Sequence, residues 1–184
     1  MSQKNFEIIN EIKNLEKDDI KLSNTQKILL ATDGSVTTIL DVLNGKISIK
    51  TLKQEYQESN KEIAEILNIN EGEQINYRVV IMGKNKVPLI YATSYIPLKR
   101  LTSEFEKDLI SADIPIGRIL KKYNIESRRE VQSVKIKKSN KELKDIFKTE
   151  ADFLSRSYNI IHKDEILISI EETFPLDSFI HNYE

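Results

Sequence analysis

The sequence predicts a single α+β domain, and three observations carry that expectation. Residues 76–97, NYRVVIMGKNKVPLIYATSYIP, set two apolar runs on either side of Gly83-Lys84-Asn85-Lys86, the pattern of a β-hairpin. Apolar residues recur at helical spacing over 4–20 and 60–67. The elements run helices first, then mostly antiparallel strands with helical insertions, an order that argues for α+β. At 184 residues the chain can form one domain with a real core and is short for two. No repeat, low-complexity tract or Ser/Gly/Pro linker divides it, so 1–184 is read as one unit, with an N-terminal helix in 1–20 and a tail at 176–184.

Composition narrows the function classes. Lys+Arg 28 and Asp+Glu 29 leave a net charge of -1, so no global field recruits nucleic acid or an anionic membrane surface. The chain has no cysteine, which removes disulfides, thiolate nucleophiles and cysteine-type zinc sites. It has no apolar leader core and no run of membrane-spanning length, so a cytoplasmic protein is expected. His162 and His181 are the only histidines and are not spaced as a metal pair, which leaves little from which to build a histidine metal site or a Ser-His-Asp triad. His181 is expected to be solvated.

In chain order, Phe6, Ile8, Ile9, Ile12 and Leu15 form the stripe of an amphipathic surface helix. A short apolar piece follows at Thr25 to Ala31. Asp33 or Ser35 then caps a helix that runs to about Leu43 and ends at Asn44-Gly45. Asp33-Gly34-Ser35-Val36-Thr37 is either only that cap or a helix start whose N–H groups favour an anion. Lys46 to Tyr56 is a strand with one solvated face, and Asn60 to Leu67 a short helix. Beyond the hairpin, Leu101 to Ile110 is a helix capped by Thr102 or Ser103. Pro115 introduces a helix ending near Asn124, with Gly117 in its first turn allowing close approach. Glu126 to Lys137 reads as a lysine-protected edge strand and Lys141 to Phe147 as a helix. Ala151 to Ile161 and Glu165 to Phe174 are strands joined through His162-Lys163-Asp164.

Two ionisable residues stand out by strand parity. Arg78 shares a face with Val80 and Met82, so the hairpin buries a cation that needs a carboxylate, either from the protein or from a ligand. A loop at 83–86 puts Arg78 near Tyr91 and Ala92. In the last strand Ile166, Ile168, Ile170 and Glu172 share one face, and Leu167, Ser169 and Glu171 the other. Parity therefore selects Glu172 over Glu171 for the apolar face. The plain reading is a buried Arg78/Glu172 ion pair; the sharper one has both facing a single cavity.

Five segments in order carry a resemblance. They are Gly34-Ser35-Val36-Thr37; Tyr77-Arg78-Val79-Val80-Ile81-Met82 with Pro88-Leu89-Ile90-Tyr91-Ala92; Ile114-Pro115-Ile116-Gly117-Arg118-Ile119-Leu120; Arg156-Ser157-Tyr158; and Ile170-Glu171-Glu172-Thr173-Phe174-Pro175. Together they resemble the chorismate pyruvate-lyase family, in its archaeal and bacterial branch, over roughly residues 20–176. The resemblance implies an antiparallel sheet of about six strands with helices packed on one side around a buried ligand cavity. It implies conversion of chorismate to 4-hydroxybenzoate and pyruvate with no cofactor and no metal, by a monomer or homodimer. Carried over by residue, Arg78 and the Ile116 N–H bind the ring carboxylate, Val36 lines the pocket, and Glu172 stands at the opposite end as the second catalytic group. A competing reading is a non-catalytic domain of the same fold that binds an aromatic or carboxylic acid, as in transcription regulators. Such a regulator needs a DNA-reading helix-turn-helix, and the residues before the shared region hold only one expected helix.

Overall fold

Strands form where β-branched and aromatic residues cluster. These are β1 (Ser48–Glu58), β2 (Gln74–Lys84), β3 (Val87–Pro97), β4 (Arg128–Lys137), β5 (Phe153–His162) and β6 (Glu165–Pro175). They make one sheet in the order β1-β2-β3-β6-β5-β4, antiparallel throughout. The helices are α1 (Gln3–Leu15), α2 (Asn24–Ala31), α3 (Val36–Asn44), α4 (Lys61–Leu67), α5 (Ser103–Ser111), α6 (Ile116–Lys122) and α7 (Lys141–Phe147). The computed structural model describes residues 3–17, 20–111 and 113–180; the Phe6 side chain and His181 lie outside the described residues.

The hairpin turn is tighter than its sequence suggests. Lys84 pairs with Val87, leaving Asn85-Lys86 as a two-residue turn with φ of 50° and 69°, the geometry that matches strand twist. Gly83 lies in the ladder, where the register slips between Met82 and Gly83; a Cβ there would stand 2.5 Å from the Val87 carbonyl oxygen. The shorter turn and the slip together move Arg78 opposite Ser94, not beside Tyr91 and Ala92 as a longer loop implied. Lys163-Asp164 closes β5 onto β6 in the same way, with φ of 50° and 61°.

The apolar residues on the inner face of the sheet bury against α1, α2 and α3 on one side and α5 and α6 on the other. Ser35 and Asn60 cap α3 and α4 by accepting from the Thr38 and Ile63 N–H groups. Two helices stand on the outer face. Ile63 and Leu67 of α4 pack on Ile75, and Phe147 of α7 packs its ring on Phe153. On α1 Ile8 and Ile12 are buried and Leu15 packs half-buried on the same core, whereas Ile9, expected in the stripe, is exposed. Glu11 of that helix accepts from the Val134 N–H at 2.8 Å, so the helix as well as lysines covers edge strand β4.

A β-bulge redistributes the start of β6. Ile160 pairs with Ile168 and Ile161 with Ile166, leaving Leu167 as the extra residue. Leu167 therefore joins Ile168 and Ile170 in the inner core, and Ile166 turns to the outer face against α4, opposite to simple alternation. Past the bulge the alternation resumes. Glu172 follows Ile170 inward and Glu171 points outward.

Although the sequence shows no repeat, the element order repeats. The succession α2, α3, β1, α4, β2, β3 recurs as α5, α6, β4, α7, β5, β6. Ile75 pairs with Pro97 and Arg78 with Ser94; equivalently, Phe153 pairs with Pro175 and Arg156 with Glu172. At the centre Ala92 pairs with Glu172 and Ser94 with Ile170, so the Thr93/Glu171 pair between them lies on a local two-fold axis. Asp33-Gly34-Ser35-Val36 before Ile39-Leu40 corresponds to Asp113-Ile114-Pro115-Ile116 before Ile119-Leu120. Val36 and Ile116, the first residues of α3 and α6, are thus equivalent positions.

Gly83→Ala forces the new methyl group into the Val87 backbone. It should destabilise the fold by about 1–3 kcal/mol in urea titration, the range for overpacking.

Candidate active site

One cavity opens on the inner face where the two repeats meet. It is lined by Arg78, Val36, Ile116 and Glu172, brought together from β2, α3, α6 and β6. Its free volume is about 50 Å³, room for a few waters.

Arg78 is 1% exposed and crosses from the first repeat to the turn before α6. Its Nη1 and Nη2 donate to the Ile114 carbonyl at 3.3 Å, and Nη2 also reaches Thr51 Oγ1 at 3.4 Å. Burial pulls the guanidinium pKa down, and the nearby Asp113 charge opposes this. Asp113 in turn accepts from the Thr51 N–H at 2.9 Å, and these Thr51 contacts, helped by Arg78, hold its carboxyl below the usual range. Pro115 supplies no side-chain cap to α6, so the Ile116 and Gly117 N–H groups in its first turn have no intrahelical acceptor.

Arg156 does the equivalent in the second repeat, crossing to the end of α2 and the turn before α3. Its Nη1 donates to the Leu29 and Thr32 carbonyls at 2.8 and 2.7 Å. Where the first repeat has Ser94 opposite its arginine, the second has Glu172, which accepts from Arg156 Nε at 2.9 Å and from the Tyr158 hydroxyl at 3.0 Å. The Arg156 guanidinium also lies over the Tyr158 ring, 4.6 Å from its centroid. Burial first, and the Glu172 charge second, push the Tyr158 hydroxyl pKa well up, so it remains a donor. The partner of Glu172 is therefore Arg156, and the expected direct Arg78/Glu172 pair does not form. The two ends of the cavity have different chemistry. One presents a guanidinium, the other a carboxylate already matched by a cation.

Glu171 lies outside this site. It accepts from Lys137 Nζ at 2.7 Å and Ser155 Oγ at 3.0 Å, with Lys135 at 3.3 Å. Burial raises its pKa, but these contacts outweigh that and hold the carboxyl below its usual range. Arg118 pairs with Asp41, and Arg128 with Glu130 and Asp164, in exposed or half-exposed positions. His162 Nδ1 lies 2.7 Å from the Glu126 carbonyl, outside the cavity. The sequence reading missed the contributions of Arg156 and Tyr158. Parity from Glu172 across the β5–β6 pairing would have found both, since they alternate onto the same inner face.

The site is thus a cavity on an antiparallel α+β sheet with a buried cation at one end and a paired carboxylate at the other. The fold is that of the effector domain of PhnF from Mycobacterium smegmatis, with a TM-score of 0.69 at 10% identity over 80% of this chain and 91% of that one. The C-terminal domain of a histidine utilization repressor from Pseudomonas syringae matches with a TM-score of 0.61 at 10% identity, over 76% of this chain and 96% of that one. In sequence, the Rv2949c-like chorismate pyruvate-lyase family matches residues 30–181. MJ0807 of Methanocaldococcus jannaschii, a proposed lyase, is 40% identical over 91% of this chain and 86% of its own. The chorismate pyruvate-lyase of Mycobacterium leprae is 28% identical over 63% of this chain and 57% of its own. The chain belongs to the Rv2949c-like chorismate pyruvate-lyase family.

Removing one partner of the buried Arg156/Glu172 pair leaves the other charge uncompensated. Arg156→Ala should cost about 3–5 kcal/mol in urea denaturation. Adding Glu172→Gln should recover part of that loss; a purely additive double variant would show that the pair is not coupled.

Proposed function

We propose that the chain is a cofactor-independent lyase that converts chorismate to 4-hydroxybenzoate and pyruvate. The supporting observation is the convergence of Arg78, Ile116, Val36 and Glu172 on one cavity. Arg78 and the Ile116 N–H hold the ring carboxylate, and Arg78 exchanges its Ile114 carbonyl acceptor for the charged one. Val36 packs against the ring. Glu172 faces the C4 hydroxyl with both oxygens oriented by Arg156 and Tyr158.

In the reaction the C4–H electron pair becomes the new ring π bond as the C3–O bond breaks. Glu172 accepts the C4 proton, and the departing enolpyruvate takes up a proton as it becomes pyruvate. The ring gains aromaticity, so the step is downhill and depends chiefly on orientation. The effector-domain likeness favours a second reading, retention of an aromatic acid without chemistry.

Purified protein mixed with chorismate should release 4-hydroxybenzoate and pyruvate in equal amounts. Binding of 4-hydroxybenzoate without any chorismate consumption supports the second reading instead. Arg78→Lys keeps the charge but loses the bidentate fork, and should lower kcat/KM roughly 30- to 1000-fold. Glu172→Gln should lower turnover about 10²- to 10⁴-fold, while Glu171→Gln, on the outer face, leaves it nearly intact. Steady-state kinetics on the three variants check the assignment; near wild-type rates in either of the first two remove that residue from the site.

A further inference from the structure

We infer that Arg129 forms a second anion subsite at the mouth of the cavity, so that the site takes a dianion with two separated carboxylates. Arg129 lies on β4 opposite Ile160 and lines the cavity that contains Arg78 and Glu172. It also lines the wider outer groove beside Ser35, Thr37, Asp41 and Gly117, so it stands at the threshold between the two. Its Nη2 lies 3.5 Å from the point where a Cβ on Gly117 would stand, and Ser35 Oγ lies 3.5 Å from the same point. Gly117 thus borders the guanidinium and the Ser35 hydroxyl between the starts of α3 and α6.

The charge balance around the cavity points the same way. Arg156 is matched by Glu172, and Arg78 is opposed by Asp113. Arg118 and Arg128 have acidic partners, and Arg100 donates to the Leu67, Asn68 and Ile166 carbonyls. Among the described residues Arg129 is the arginine with no hydrogen bond or ion pair of its own. A half-buried guanidinium that faces a cavity is suited to a carboxylate, which it can hold through two parallel N–H bonds.

The identity of the dianion rests on the proposed reaction. Chorismate carries a ring carboxylate, assigned to Arg78, and a second carboxylate on the enolpyruvyl side chain, which Arg129 would meet. The product 4-hydroxybenzoate keeps only the first. Arg129 thereby selects substrate over product, and the pyruvate carboxylate is left at the mouth after C3–O cleavage.

The test compares wild type, Arg129→Gln and, as a surface control, Arg128→Gln by calorimetry with two probes. These are 3-(carboxymethoxy)benzoate, a non-reacting dianion, and the monoanion 4-hydroxybenzoate; chorismate kinetics are measured in parallel. Arg129→Gln should weaken the dianion about 10- to 100-fold, raise the KM for chorismate similarly, and leave 4-hydroxybenzoate affinity unchanged. Arg128→Gln should alter neither. If the dianion binds in an Arg129-dependent way but chorismate is not consumed, the subsite stands and the lyase reading falls. If chorismate is consumed and Arg129→Gln changes neither KM nor dianion affinity, the subsite is overturned and the lyase reading stands. Equal weakening of both probes, or no dianion binding by the wild type, also overturns the subsite.

Discussion

Two arginines buried under the centre of one sheet face impose a constraint that organises the molecule. A guanidinium removed from water needs acceptors in the plane of its fork, and a sheet whose backbone groups are already paired offers few. Arg78 and Arg156 each find carbonyl acceptors across the local two-fold axis, Arg78 in the turn before α6 and Arg156 at the end of α2 and in the turn before α3. These reciprocal contacts tie α6 over the first repeat and α3 over the second. The cavity is the space left between the two ties.

The repeats differ at the cavity. Opposite its arginine the first repeat has Ser94, small and neutral, and the second has Glu172. A carboxylate matched to Arg156 makes that end of the cavity a hydrogen-bond acceptor, as its contact with the Tyr158 hydroxyl shows. The cavity thereby acquires direction from an otherwise two-fold plan. A ring with an acid at one end and a hydroxyl at the other fits that direction, and its reversed orientation would set acid against acid.

Much of this was legible in the residues. The hairpin, the lysine-rich edge strand, Ser35 as one of two candidate caps and the inward choice of Glu172 follow from periodicity and turn chemistry, which are local properties. The register of Arg78 differs from that of a four-residue loop because the turn is only Asn85-Lys86 and the ladder slips once more at Gly83, neither of which periodicity reveals. The bulge at Leu167 was equally hidden, since it lies in the pairing of β5 with β6 and leaves the alternation of apolar residues along the strand unmarked. Of the two readings open for Arg78 and Glu172, a direct pair or one shared cavity, the residues alone could not choose for a related reason. Arg78 and Arg156 occupy equivalent positions, and only the pairing of β5 with β6 decides which one meets the carboxylate. The repeat itself survives in strand register and helix order more than in residue identity.

The account depends most on the polarity of the cavity, which a crystal structure of the protein with 4-hydroxybenzoate would measure directly. The carboxylate should lie on the Arg78 guanidinium and the Ile116 N–H, with the hydroxyl donating to Glu172. A ligand bound the other way round, with its carboxylate at the Arg156 end, or seated outside the cavity, would contradict it.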